Sequence, residues 1–492
     1  MTKPVIEDQG PEPNARVRVV VIGAGISGLA AAWRLSRTPG TEVIVLEGSA
    51  QVGGKLRLGE VGGLAVDVGA ESVLARRPEA VALITEVGLG SDLVHPVATT
   101  PLVLARGVLH PLPTGTVMGV PSSWATLPGL AGLLTTAEVE RVAAEPTIDA
   151  PALQDDIDVG SWVAGRMGRA VVDRLVESLL GGVYAGPADG LSLQATVPAL
   201  WQRAKLGGAL LADQAAAPAP QMPSGGPIFA GLRGGVGRLA GTLAERLTAD
   251  GVQVRTGATV RGLRRRLTGW RLEIGSASAP EFLDADAVIL AVPPAPAARL
   301  LAADVPLAAA QLSGIETASV AVVAAAIPAD QLTGLASSGL LIPPVEGTAI
   351  KAATFSSAKW DWISGADDPL VVRLSMGRAG EELTLQRTDE ELTALALGDL
   401  ATVLGRSLRP IDTQVVRWGG GLPQYAVGHL ARIERLRSAV AAVDGLAICG
   451  AVLDGVGVAA CVAAADRAVA DLLDNLRALS ATGRRAGETI NS

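Results

Sequence analysis

The chain has 492 residues, of which 49% are hydrophobic and 18% charged, with a formal net charge of −8. That length calls for two or three lobes, and the acidic balance argues against a nucleic-acid partner. Two cysteines and three scattered histidines leave no metal-ligand spacing and no disulfide framework.

Residues 1–14 are polar, acidic and Pro-bearing, without a basic-then-apolar signal design, which predicts a flexible leader on a cytoplasmic protein. Residues 17–22 (VRVVVI) form an apolar, β-branched run of buried-strand length. Gly23-Ala24-Gly25-Ile26-Ser27-Gly28 follows at once, then helical composition to residue 36 and a Pro39-Gly40 stop. A second apolar strand, residues 42–46, closes on Glu47. In this context Gly23 allows the sharp turn, Gly25 admits a pyrophosphate to backbone N–H groups, and Gly28 lets helix and strand pack closely. The helix N-terminus faces the phosphate charge, and Glu47 is placed to accept hydrogen bonds from a ribose, the usual task of an acid about 20 residues on. With 59 glycines in the chain, the bare pattern is expected by chance about once. The strand before it, the helix after it and the acid at the next strand's end make it specific. Glu47-Gly48, followed by Gly53-Gly54-Lys55, resembles the extended motif of large FAD enzymes. No Arg directly follows Glu47, which disfavours a 2′-phosphate.

Further along, residues 56–67 predict a hairpin around Gly62-Gly63. Gly69-Ala70-Glu71-Ser72 then offers close backbone approach to a flat ring, and Arg76-Arg77 precede a helix over residues 78–88. Residues 90–225 alternate helical stretches with Pro- and Gly-rich loops and predict an inserted helical lobe, closed by an exposed linker at 215–227. Within it, residues 111–137 are uncharged but broken by prolines; a membrane-touching surface and a buried loop-and-helix segment are the two readings. Residues 228–300 return to α/β, ending in a buried strand halted by Pro293-Pro294. Residues 301–415 predict an antiparallel sheet. From 416 the chain returns to the cofactor through Arg417-Trp418, a strand at 445–449, a glycine turn at 450–458 and an Ala-rich helix.

The segments GAGISGLAAAWRL, GAESVLARRPE, LLGGVYAGPADGLSLQAT, DAVILAVPP, RWGGGLPQYAVGH and LDGVGVAACV together resemble the porphyrinogen oxidases, FAD enzymes of the amine-oxidase-like superfamily. GLLIP and KAATFSSAKWDW are most similar to actinobacterial members, which oxidise coproporphyrinogen III to coproporphyrin III in haem biosynthesis. The resemblance implies an α/β fold: a Rossmann-like FAD-binding domain from residues 15–88, 226–300 and 416–478, an antiparallel-sheet substrate domain at 301–415, a helical insert at 89–225, and flexible tails at 1–14 and 479–492. It implies FAD contacts at Gly23, Ala24, Gly25, Ile26, Ser27, Gly28, Glu47, Gly48, Lys55, Gly69, Ala70, Glu71, Ser72, Val260, Trp418, Val456, Gly457 and Val458. One departure is Ala451, where the superfamily often has an acid, so the ribityl contact there falls to backbone.

The reaction implied removes six hydrogens in three steps, with hydride passing to flavin, dioxygen as final acceptor and hydrogen peroxide released. No catalytic base stands out, and none is assigned. The substrate's propionates need local cations: one of Arg76 and Arg77 is expected to supply one, with a solvated helix-capping pair as the alternative. Lys351 and Lys359 are weaker candidates, with surface placement the alternative. Tyr184 and Tyr425 either face the macrocycle or are core aromatics. His429 reads as structural, and Cys449 and Cys461 as small core residues. Protoporphyrinogen IX is the alternative substrate, and a ferrochelatase or a membrane surface would be a transient contact. Amine oxidases and carotenoid desaturases are more distant readings; 3% aromatic residues with two tyrosines disfavour an amine-binding aromatic cage. A non-catalytic binding module on this fold is disfavoured by intact Gly25, Gly28, Glu47 and Gly53-Gly54.

Overall fold

A computed structural model describes residues 16–98, 100–211, 226–365 and 367–490, with side chains to residue 479. The expected leader and most of the expected linker lie outside the described residues.

The apolar run Val17–Ile22 is the central strand of a five-stranded parallel sheet. Its neighbours are Thr41–Leu46 on one side and Ala287–Leu290 on the other. Gln253–Arg255 and Leu446–Ile448 form the edges. The inner strands are largely apolar because helices cover both faces, as a parallel sheet requires, whereas edge strand Gln253–Arg255 is polar and partly exposed. Helix Ile26–Ser36 packs between the sheet and the C-terminal helix, Val458–Ile490. That last helix continues where a flexible tail was expected from residue 479.

The second sheet has seven strands, in the order Asp412–Pro423, Thr317–Ile327, Leu370–Met376, Ile350–Phe355, Gly339–Leu341, Leu102–Ala105, Val108–Pro111. Helix Asp389–Leu404 covers one face, burying Leu392, Ala396 and Leu400 against Val323, Phe355 and Leu374. The opposite face packs on the hairpin Leu58–Val61 and Leu64–Asp67 through Val61, Val66 and Val68.

Two features differ from expectation. Residues 102–111, read as the start of the helical insert, complete this sheet, and their pairing with Gly339–Leu341 is parallel. Strand Asp412–Pro423 spans residue 416, where the sheet domain was expected to end.

The helical lobe follows, from Trp124–Leu130 to Pro198–Leu206, around its own core of Leu130, Trp162, Leu175, Leu180 and Trp201. Leu130, Leu133 and Leu134 are buried there, so the uncharged stretch ends in the lobe's core. At the centre of the lobe Glu145 meets Arg166 and accepts N–H groups of Leu210 and Leu211. Among the described residues no helix is long and apolar enough to cross a membrane, and no cluster of His, Cys, Asp and Glu could hold a metal ion.

Candidate functional site

The glycine loop's geometry follows from what a side chain would strike. A Cβ on Gly28 would lie 1.8 Å from the carbonyl oxygen of Gly23, and one on Gly23 would lie 2.6 Å from that of Ala291. Gly23 also sits at φ +103°, which side-chain-bearing residues avoid. At Gly25 a Cβ would meet nothing within 4 Å. Gly25 is the N-cap of Ile26–Ser36 and no side chain caps that helix, so its first N–H groups are left for a ligand.

Glu47 stands beside this opening. Its carboxylate accepts the Ala24 N–H at 2.7 Å and the Ser49 N–H at 2.9 Å. The Gly53-Gly54 turn is stitched to the loop by the Gly53 N–H on the Ala24 carbonyl, 2.7 Å. Val260 begins its strand just past Ala258, whose N–H bonds the Glu47 carbonyl at 2.8 Å, and a Cβ on Gly48 would meet Thr259.

The C-terminal helix brings a second N-terminus to the same region. Its first residue is Val458, and Gly457, directly before it, has open space around its missing Cβ. Cys461, in its first turn, is buried; burial pushes its thiol pKa up, while nearby Ser27 of the first helix and the charge of Lys55 oppose that shift. Lys55 has no carboxylate partner among the described residues, and burial lowers its pKa. An uncapped helix start, a second helix start and, among the described residues, an unpaired ammonium are groups that could hold an anionic dinucleotide.

Gly69 is pressed against Lys55: a Cβ there would lie 1.9 Å from the Lys55 carbonyl oxygen. The Ala70 N–H bonds that same oxygen at 2.9 Å. Trp418, from the seven-stranded sheet, donates its indole N–H to the Val68 carbonyl at 3.1 Å. Gly69, Ala70, Lys55 and Trp418 thus share one wall.

Glu71 takes a different place. It is buried and bound to Lys359 at 2.9 Å, Arg373 at 3.3 Å and the Ser356 hydroxyl. Burial pushes its carboxyl up, but Lys359 and then Arg373 outweigh it and hold the pKa at about 2. Arg373 also donates to the Gly69 carbonyl. Glu71 therefore ties the wall to the sheet, and Lys359 is committed to it rather than left at the surface. The neighbouring Ser72 is half-buried.

Arg76 reaches the Gly226 carbonyl at 3.3 Å, and Arg77 pairs with Glu79 at 2.6 Å in the first turn of Pro78–Glu86. Both are exposed, and no side chain caps the helix that follows. Tyr184 is buried and tilted 52° against Tyr425, with ring centroids 5.3 Å apart. Its hydroxyl has no hydrogen-bond partner among the described residues, and burial pushes its pKa up to about 12. Tyr425 is a satisfied core aromatic: its hydroxyl donates to the Ala451 carbonyl and accepts the Gly455 N–H. His429 stacks on Tyr425 at 3.9 Å, and burial lowers its pKa to about 4. Cys449 and Cys461 are buried free thiols.

Sequence reasoning missed Arg57, whose guanidinium lies 5.1 Å from the Trp418 ring while its Nε is buried without a partner. It stands two residues after Lys55, a basic residue in the same turn, which was the available signal.

Comparison with known proteins fits this geometry. The family profile of flavin containing amine oxidoreductases matches residues 26–473. The coproporphyrinogen III oxidase of Mycobacterium tuberculosis (strain ATCC 25618 / H37Rv) is 38% identical, over 93% of this chain and 98% of its own. That of Bacillus subtilis (strain 168) is 32% identical, over 94% and 99%. A crystal structure from Exiguobacterium sp. 255-15, assigned as a protoporphyrinogen oxidase, superposes with a TM-score of 0.80 at 31% identity, covering 94% of this chain and 99% of that one.

Proposed function

Because the chain belongs to the flavin containing amine oxidoreductases and, within them, to the FAD-dependent porphyrinogen oxidases, we propose that it oxidises coproporphyrinogen III to coproporphyrin III with dioxygen as acceptor. It is an FAD-dependent oxidoreductase. When bound, FAD would supply the two-electron acceptor for the carbon-bound hydrogens, reoxidisable by dioxygen. The balance is one porphyrinogen and three dioxygen molecules giving one porphyrin and three hydrogen peroxide molecules.

The protein's part is binding, orientation and field. Residues 23–28 and 53–54 would admit the pyrophosphate to backbone N–H groups, and Glu47, with Gly48 and Val260 nearby, would hold the ribose. Lys55 and the helix start at residues 456–458 stabilise negative charge that develops near them. Gly69, Ala70 and Trp418 form a wall against a flat ring. Ala185, Ala318 and Val320, packed with Trp418 and Leu422, supply an apolar patch that keeps water from the reacting carbon. The observation that carries the reading is the convergence of the glycine cradle, the unpaired Lys55 and the Trp418 wall at one edge of the seven-stranded sheet.

The test is direct. FAD-loaded protein is mixed in air with coproporphyrinogen III and, separately, with protoporphyrinogen IX, and porphyrin fluorescence is followed with peroxide release. Faster oxidation of coproporphyrinogen with stoichiometric peroxide is expected. Preference for protoporphyrinogen overturns the substrate, and oxidation without peroxide overturns the acceptor.

A further inference from the structure

Between helix Glu177–Tyr184 and the rim of the seven-stranded sheet lies a cavity of about 220 Å³ lined in part by Gly181, Gly182, Gly186, Ile342, Lys351 and Arg378. Lys351 is 6% exposed, its backbone carbonyl accepts the Ile342 N–H at 2.9 Å, and its ammonium has no hydrogen-bond or ion-pair partner among the described residues. It sits at an irregularity in strand Ile350–Phe355, where the pairing with Leu370–Met376 shifts register between Ile350 and Ala352. Such bulges redirect a side chain that the regular pleat would send elsewhere.

The cavity's charges are unevenly committed. Arg169 is held by Asp173 at 2.6 Å and Asp189 at 2.7 Å. Glu177 accepts the Ala188 N–H at 2.8 Å. Arg378 donates to the Ile342 carbonyl at 3.3 Å, and among the described residues its one ion-pair partner is the half-exposed Glu381, which also lines the cavity, at 3.5 Å. Lys351 and Arg378 are left as two poorly compensated cations. Burial, then Arg378, pushes the Lys351 pKa down to about 7. A buried ammonium without an anion is unfavourable, and an anion arriving beside it restores its charge. Space for one exists, since a Cβ on Gly182 would meet nothing within 4 Å.

The cavity also adjoins the Trp418 wall. Gly186 lines it, and Ala185, in a left-handed turn at φ +53°, accepts the Ala379 N–H and packs with Ala318 and Val320. Trp418 and Leu422 lie against that same cluster. One turn, residues 184–187, thus separates the cation pair from the ring-binding wall.

We propose that Lys351 and Arg378 form a carboxylate subsite in this cavity, which takes one propionate arm of the porphyrinogen. The proposal rests on the porphyrinogen reading above and extends it to a named pair of residues. A tetracarboxylate substrate has more arms to place than a dicarboxylate, so this pair would favour the former.

The test uses FAD-loaded full-length protein and the stable porphyrin products as ligands. Coproporphyrin III, its tetramethyl ester and protoporphyrin IX are titrated by Soret absorbance and fluorescence. Lys351→Met, which removes a buried charge without stranding a partner, is expected to weaken coproporphyrin III by about tenfold and to leave the ester unchanged. Lys351→Arg restores most of the affinity, and Arg378→Met repeats the loss as an independent variant. Equal affinity of wild type and both Met variants for coproporphyrin III overturns the proposal. So does an equal loss for the ester, which would trace the effect to packing. A third overturning result is thermal stabilisation by inorganic phosphate that Lys351→Met abolishes while porphyrin affinity stays intact; the site would then hold a free anion. Oxidation of porphyrinogen by wild type is scored separately, so the subsite can fail while the function stands.

Discussion

Around residues 23–28 the protein works through its backbone; around Glu71 it works through buried charge. The first region is made of neighbours in sequence, and its glycines matter for the atoms they lack. The second gathers Glu71, Ser356, Lys359 and Arg373 from positions up to 302 residues apart, and each matters for the group it carries. A backbone site tolerates no added atoms. A charge cluster tolerates change of shape but not the loss of one partner.

The sharpest way to break this contrast is Gly28→Val. The new Cβ would fall 1.8 Å from a backbone oxygen that cannot yield without moving the loop. The expected result is purified protein without a flavin absorbance band, or insoluble protein. A yellow, stable variant would overturn the packing account.

Glu71→Ala strands Lys359 and Arg373 in the interior. It should lower stability by about 3–5 kcal/mol in denaturant titrations, and Glu71→Gln by less. A loss below about 1 kcal/mol would mean water compensates the cations.

The same carboxylate sets an acid limit. With its folded pKa near 2, below the unfolded value, Glu71 contributes stability that is complete above about pH 4.5. That contribution, about 3 kcal/mol, is lost as pH falls through 2. His429, with a folded pKa of about 4, acts earlier. Its neutral form is favoured in the fold, so its contribution is complete above the unfolded pKa of about 6.5 and is lost as pH falls towards 4. Stability curves should flatten in the lower window for Glu71→Gln and in the upper one for His429→Gln. An unchanged slope in either variant removes that residue from the account.

Glu47→Ala sharpens the comparison at the cradle. It deletes the acceptor for two N–H groups and should weaken FAD by about 10- to 100-fold, read by flavin fluorescence on titration. The smallest effect is expected at the surface. Arg77→Ala removes an exposed pair worth under about 1 kcal/mol and should leave KM for porphyrinogen unchanged. A raised KM would return Arg77 to the substrate site.

Much of the cradle was legible because its geometry is local. Val17–Ile22, the glycine turn, Ile26–Ser36 and Thr41–Leu46 each follow from residues next to one another. Leu102–Ala105 has a local hairpin partner in Val108–Pro111, but its membership of the large sheet was hidden because the link runs through Gly339–Leu341, more than two hundred residues away. Strand Ala279–Ala285 was hidden for another reason: most of it is exposed, so no apolar face marks it. Helix Asp389–Leu404 could have been found, since Thr388 and Glu391 form the capping box that a T-x-x-E spacing advertises. Glu71 was not legible as an ion-pair centre, because no local pattern announces Lys359 or Arg373. Lys351 is buried through a register shift that periodicity does not reveal.

The parallel sheet draws on stretches as distant as Val17–Ile22 and Leu446–Ile448, and the latter is the partner of Ala287–Leu290. A ribosome releases the N-terminal strands early and this last strand near the end. From residue 290 to residue 446 the nascent chain therefore carries four of the five strands, with the outer edge of Ala287–Leu290 lacking its partner. The helix that begins at Val458 arrives later still. A chain cut before residue 446 is therefore expected to present an unpaired apolar strand edge, prone to aggregation, and to lack the helix start at Val458.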